Sequence, residues 1–196
     1  MALNSFETPI IGHGLLGEIL ILKGDTARAP QVLQKATSLN PKWSTPWMNW
    51  ATLKFSQNNP DEATRILERG IQSNPETEEL RMLLASHLST NGQIDRAIAE
   101  YEAILQKHPH SLMAANNLAS LLVDYKADAS NLNRALALTR DFERRAPNPF
   151  FLDTLGWVHL KMGHQDEAIR VIQRAIEEAP QQPIINYHLG MAYFKA

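Results

Sequence analysis

The sequence predicts an all-α fold, a solenoid of stacked antiparallel helix pairs, and three observations carry that prediction. Prolines recur: Pro41, Pro75, Pro109, Pro147 and Pro180 follow one another at intervals of 34, 34, 38 and 33 residues. Twelve residues before each of them stands an alanine: Ala29, Ala63, Ala97, Ala135 and Ala168. Between these marks a large apolar residue is followed at once by a small one, as in Trp50 and Ala51, Leu84 and Ala85, Leu118 and Ala119, Leu155 and Gly156, Leu189 and Gly190. A small residue repeated at one helical site lets a neighbouring helix approach closely, while the large residue fills the groove beside it. One helix pair of this size cannot bury its apolar face alone, so the pairs must stack.

The elements follow in order. The stretch "IIGHGLLGEILILKG" at 10–24 carries His13 and Glu18 and is too short and polar to span a bilayer, so it reads as a buried helix. It has no basic lead-in and no small-residue cleavage site, although a fragment could have lost a targeting segment upstream. Leu16 and Gly17 supply its large and small pair, and "KGD" at 23–25 ends it. The second helix runs through Ala29, Leu33 and Ala36, with Pro30 near its first turn as the source of a local kink, and Pro41 closes a first repeat over 10–43.

The second repeat, 44–77, places Trp47 and Trp50 on one helical face as core, turns at "QNNPD", and continues through Ala63, Leu67 and Gly70. The third, 78–111, turns at "NGQ" before Ala97, Tyr101 and Ile104. In the fourth, 112–148, "DYKADASNLNRA" holds about four extra residues that should lengthen the turn or the end of the first helix; Ala135, Thr139 and Phe142 follow. The fifth, 149–182, turns at "MGH" before Ala168, Ile172 and Ala175, and a half-repeat occupies 183–196. Gly24, Gly92 and Gly163 suit the left-handed backbone that ends a helix, and Pro60 suits the first turn of the next. The count is about eleven helices. Lys54 replaces the large apolar residue seen at Leu88, Leu122 and Tyr193, and Thr139 replaces a bulky one, so packing there should be looser.

Composition bounds the chemistry. At 196 residues and 44% hydrophobic, the chain is long enough for a sizeable core. Nineteen basic and 21 acidic residues leave a formal charge of -2, which offers no field for nucleic acid or anionic membrane. The absence of cysteine removes disulfides, thiolate metal sites and cysteine nucleophiles. The histidines are scattered, the closest pair in sequence being His108 and His110 with no carboxylate ligand set nearby, so no metal site is expected. No cofactor is expected either, since no G-x-S-x-G, Walker loop or dinucleotide fingerprint occurs. Glu167, Glu177 and Glu178 are spaced to pair with Arg170 and Arg174 along a solvated helix face. Arg134, Arg140, Arg144 and Arg145 are interleaved with Asp141 and Glu143 and lack aromatics for base stacking.

The repeating residues, above all "LGWVHLKMGHQDEAIRVIQRAIEEAP" at 155–180, resemble the tetratricopeptide repeat family along nearly the whole chain. That resemblance implies a single domain over 1–196, wound as a right-handed superhelix with the first helix of each repeat lining a concave groove. In such grooves an extended peptide or a partner helix binds. The candidate lining is Leu15, Glu18 and Leu22, then Asn49, Thr52 and Phe55, then Met82, Leu83, Ser86 and Ser89. It continues with Asn116, Asn117, Ser120 and Asp124, then Asp153, Thr154 and Trp157, then Tyr187, His188 and Met191. Asn49 and Asn117 form a partial ladder able to bond both groups of a peptide backbone, and Trp157 reads either as an exposed anchor for a partner or as packed against the adjacent helix pair.

The family's clamp for acidic chaperone tails is not matched. Its sites hold Gly14, Glu18, Asn49, Glu79 and Leu83, none basic, and Glu18, Asp124 and Asp153 make the groove mildly negative. Family arrays end in a polar capping helix, whereas "YHLGMAYFKA" leaves Met191, Tyr193 and Phe194 near an uncapped end, so truncation or self-association through the last helix is expected. The fifth repeat is similar to repeats of bacterial proteins, including those of exopolysaccharide production and envelope sorting. The expected function is a non-catalytic protein-protein interaction scaffold whose partner is a protein or peptide other than a strongly acidic tail. The alternative is a fragment of a larger enzyme that delivers protein substrates to a catalytic domain.

Overall fold

Four left-handed turn residues cut the chain into helix pairs. The computed structural model describes residues 8–145 and 148–196, with side chains from residue 12 onward, so Pro147 and the side chains of Ile10 and Ile11 lie outside the described residues. Gly24, Gly92 and Gly163 have φ of 73, 74 and 82°, and Asn58 takes the same conformation at 56° in the glycine-free turn at 57–59. The amide after each turn residue donates back five positions: Asp25 to Leu20, Asn59 to Lys54, Gln93 to Leu88 and His164 to His159, at 2.8, 3.0, 2.8 and 2.9 Å. These bonds satisfy carbonyls that the helix end leaves open.

The elements are α1 (Thr8–Leu22), α2 (Ala29–Leu39), α3 (Ser44–Ser56), α4 (Pro60–Ser73), α5 (Glu78–Thr90), α6 (Ile94–Lys107) and α7 (Leu112–Tyr125). They continue as α8 (Ala129–Thr139), α9 (Phe142–Arg145), α10 (Pro149–Lys161), α11 (Gln165–Glu178) and α12 (Pro183–Lys195). Among the described residues there are thus eleven long helices, the single turn α9, and no strand. The chain divides into two compact units, Met1–Gln93 and Ile94–Ala196, with the boundary in the turn between α5 and α6.

In both units the core is built from the recurring rows. Ala29, Ala63, Ala97, Ala135 and Ala168 are all fully buried, as are Leu33, Leu67, Thr139 and Ile172 four residues further on. The reason for the small row is geometric. A Cβ on Gly156 would lie 2.3 Å from Ile172 Cγ1, and one on Gly17 would lie 2.4 Å from Leu33 Cδ2. In these two helix pairs the first helix takes an aliphatic side chain of its partner helix against bare backbone, whereas α3, α5 and α7 carry Ala51, Ala85 and Ala119 at the same position. Trp47 and Trp50 are buried with ring centroids 6.3 Å apart. Trp47 Nε1 and Asn74 Nδ2 both donate to the Pro41 carbonyl, at 2.9 and 2.7 Å, which ties the first connection to the end of the second repeat.

Several expectations are corrected. α1 is buried on one side only, because it packs on α2 and α3: Gly14, Gly17 and Leu20 are buried, whereas Leu15, Leu16, Ile19 and Leu22 are exposed. Pro30 causes no break, since it sits at the second position of α2 where a missing donor is tolerated. The extra residues of the fourth repeat do not lengthen its turn. Residues 126–128 connect α7 to α8, as many as 57–59 or 91–93 elsewhere. One residue extends α7, and the rest enter the front of α8, which begins six positions before Ala135, where α4, α6 and α11 begin three before their alanines. Asp128 makes this early start possible by accepting from the Asn131 amide at 2.9 Å.

At its other end α8 stops at Thr139, whose hydroxyl bonds back to the Ala135 carbonyl at 2.9 Å, and the helix resumes as α9 with Phe142 buried against Phe151. Lys54 reaches Glu62 with its ammonium at 3.0 Å, across the helix pair. Arg170 and Arg174 also depart from expectation. Instead of pairing along α11 they converge on Glu143 of α9, Arg170 through both terminal nitrogens at 2.8 and 2.9 Å.

Two outcomes follow from this packing. Gly156→Val forces a side chain into Ile172 and should lower stability by about 1–3 kcal/mol in urea unfolding. Gly190, the matching position in α12, has nothing within 4 Å, so Gly190→Ala should be neutral or stabilise by up to about 1 kcal/mol. The hydrogen bonds from Arg170, ahead of its charge and that of Arg174, hold the Glu143 carboxyl below the usual glutamate value. Its stabilisation is therefore present above the unfolded value and lost as pH falls through the folded one. Between neutral pH and about pH 3 the wild type should lose more stability than Glu143→Gln, by less than about 1 kcal/mol for a solvent-screened group.

Candidate functional site

The first helix of each repeat presents one side to solvent, and the helical period fixes which residues share it. In α10, Phe150, Asp153, Thr154 and Trp157 stand at i, i+3, i+4 and i+7, and the same offsets give Met113, Asn116, Asn117 and Ser120 in α7. In α12 they give Ile184, Tyr187, His188 and Met191; in α3 and α5 they give Thr45, Met48, Asn49 and Thr52, and Glu79, Met82, Leu83 and Ser86. The residues expected to line a groove thus occupy one face of adjacent helices within each unit.

In the unit Met1–Gln93, the face is polar and shallow. Thr52 and Ser86 are exposed, Asn49 and Met82 are half-buried, and Phe55 stacks on His87, joining α3 to α5. Desolvation by burial lowers the pKa of His87, which therefore faces Phe55 as a neutral ring at pH 7.

In the unit Ile94–Ala196, α7, α10 and α12 are cross-linked through the very residues expected to bind. Ser120 Oγ lies 3.4 Å from Thr154 Oγ1. Trp157 Nε1 donates to Asp124 Oδ1 at 2.8 Å, its ring stacks on His188 with centroids 4.0 Å apart, and Lys161 Nζ lies 4.6 Å from its centroid. His188 Nδ1 is 2.9 Å from both oxygens of Asp153, a carboxylate that is 6% exposed. A carboxylate only accepts, so Nδ1 carries the proton and Asp153 fixes the orientation of the imidazole. On α7, Asn117 Nδ2 donates to the Tyr101 hydroxyl at 3.2 Å and Asn116 Nδ2 to Asn117 Oδ1 at 3.3 Å.

Of the two readings of Trp157, the exposed anchor is ruled out and the structure shows it packed against the neighbouring helices. It is 9% exposed, because its ring is sandwiched between helices and its N–H is spent on Asp124. Asn116 is buried too, and Asn117 gives its amide to Tyr101 rather than holding it open as a ladder rung. Phe55, Asp153 and His188 hold neighbouring helices together, while Thr52, Ser86 and Tyr187 stand exposed.

One feature of this face escaped the sequence reading. Met113, Phe150 and Ile184 are the second residues of α7, α10 and α12 and are 53, 47 and 49% exposed. Their spacing of 37 and 34 residues is the repeat period itself, and that was the available signal. The matching positions in α3 and α5 hold Thr45 and Glu79, so among these five described positions the apolar residues all lie in the unit Ile94–Ala196.

The tetratricopeptide repeat family matches the chain twice, over residues 16–86 and over residues 82–141 and 154–196. A TPR repeat-containing protein of Pseudomonas aeruginosa is 25% identical over 178 residues, covering 88% of this chain and 29% of its own length, so the chain spans under a third of that relative. A tetratricopeptide repeat protein from Parabacteroides merdae superposes with a TM-score of 0.78 at 18% identity, over 96% of this chain and 73% of its own. YrrB, described as a TPR protein with an unusual peptide-binding site, superposes at 0.69 with 16% identity, over 95% and 98%. With its buried alanine row, its left-handed turns and family matches across most of its length, the chain belongs to the tetratricopeptide repeat family.

Proposed function

We propose that the chain is a non-catalytic interaction scaffold that holds a peptide segment or a partner helix against the first helices of its repeats. The observation that carries this reading is the exposed row of Met113, Phe150 and Ile184, with Tyr187 beside it, along a face whose other groups are bonded to one another. Large apolar side chains at one solvent-facing site in three successive repeats add nothing to the core, and exposed apolar groups beside fixed polar ones are what partner surfaces are made of. The peptide-binding site named for YrrB supports the same use of the fold. The partner is not a strongly acidic tail: Asp124 and Asp153 are acidic, and the one cation among these contacts, Lys161, lies over the Trp157 ring. The character of the fifth repeat favours a role in a bacterial assembly, of the envelope or exopolysaccharide kind.

Peptides selected from a random display library on the intact chain test the reading. Phe150→Ala and Tyr187→Ala should each weaken the selected ligands by roughly 1–2 kcal/mol, about five- to thirty-fold, with helicity unchanged. Ligands indifferent to both variants would place binding on another surface and reject this one. Trp157→Ala is a poor probe, because removing a buried indole costs about 3–5 kcal/mol of stability by itself.

A further inference from the structure

We propose that His159 and His164 form a two-imidazole site for a zinc-class divalent cation at the turn between α10 and α11. The Nδ1 atoms of the two rings lie 3.4 Å apart, with the ring planes inclined at 48°. Two zinc–nitrogen bonds of about 2.0–2.1 Å at a tetrahedral angle place their nitrogens about 3.3–3.4 Å apart. Adjacent ligands of a square-planar ion would sit nearer, at about 2.8–3.0 Å. The spacing therefore matches tetrahedral coordination.

The backbone holds this spacing. His159 lies in the last turn of α10, His164 caps α11, and between them Gly163 is left-handed at φ 82° while the His164 amide donates to the His159 carbonyl at 2.9 Å. A metal ligand must be a neutral imidazole, and two adjacent rings cannot both be protonated cheaply. The charged groups that bear on His159 from its surroundings are Glu167 on α11, which favours a cation, Arg170 on α11, and Glu143 on α9. Arg170 is already neutralised by its bidentate pairing with Glu143. Beside the pair a recess of about 460 Å³, lined by His164, Asp166, Glu167 and Lys195 among others, admits water to the remaining coordination positions. Among the described residues no set of three histidine or acidic side chains is already arranged for a metal, so the protein supplies two ligands and solvent the rest.

Calorimetric titration of the tag-free, chelator-treated chain with zinc chloride in a non-coordinating buffer tests the site. The expected result is saturable binding at one zinc per chain, weakened at least about ten-fold by His159→Ala and by His164→Asn and unchanged by His110→Ala. Asparagine at 164 keeps a good helix cap while removing the imidazole, so loss of binding there is not loss of the turn. Zinc should also raise the melting temperature of the wild type and of His110→Ala but not of the other two variants. Absence of saturable heat, or equal zinc affinity in His159→Ala and His110→Ala, would overturn the assignment.

Discussion

The close contact between the small row of a first helix and an aliphatic side chain of its second helix, tightest at Gly17 and Gly156, sets the spacing within the helix pairs. Where Ile172 Cγ1 lies against Gly156, and Leu33 against Gly17, no Cβ fits, and the two helix axes are as close as side chains permit. That closeness is what buries the alanine row completely on the other side of the contact. It also fixes the rotation of each first helix about its axis. Once the large and small pair faces inward, the residues at i, i+3, i+4 and i+7 from the second helical position can only face the neighbouring first helices and solvent.

That rotation explains why the candidate surface is polar yet not loose. Side chains on this face meet their equivalents one repeat away, so polar residues there find partners across the helix boundary: Ser120 with Thr154, Asp124 with Trp157, Asp153 with His188. Each pair spans two first helices of one unit and resists their shear. The face is thereby preorganised, and a ligand that binds it orders little that is not ordered already.

The parts of this design that were legible in the sequence are those decided within one repeat. The alanines, the large and small pairs and the left-handed glycines each follow from local sterics, and the period made them plain. What was not legible depended on the neighbour. Trp157 reads as a solvent-facing aromatic one step off the core stripe, and only the arrival of Asp124 from one side and His188 from the other buries it. Arg170 and Arg174 read as partners of glutamates on their own helix, but the resumption of the fourth second helix as α9 brings Glu143 within reach of both. The four extra residues of that repeat were visible as a longer interval; their entry into the front of α8 turned on Asp128 being a competent cap one turn early. His159 and His164 lie five residues apart across a turn, and nothing in a linear reading distinguishes them from His108 and His110 until the turn closes.

The second position of each first helix separates fold from recognition. It lies at the helix start, outside the rows that touch the partner helix, so its side chain is not tested by packing: Thr45 and Glu79 occupy it in one unit, Met113, Phe150 and Ile184 in the other, within helices of the same kind. A change at the small row is felt by the core at once, whereas a change at the second position alters only what the surface offers to a partner. The exposed apolar residues described at this position lie in the unit Ile94–Ala196, where the bonded polar floor already exists. Exposed apolar side chains standing over immobilised polar groups give affinity from the first and orientation from the second. That division of labour lets one repeat scaffold carry different ligands without being repacked.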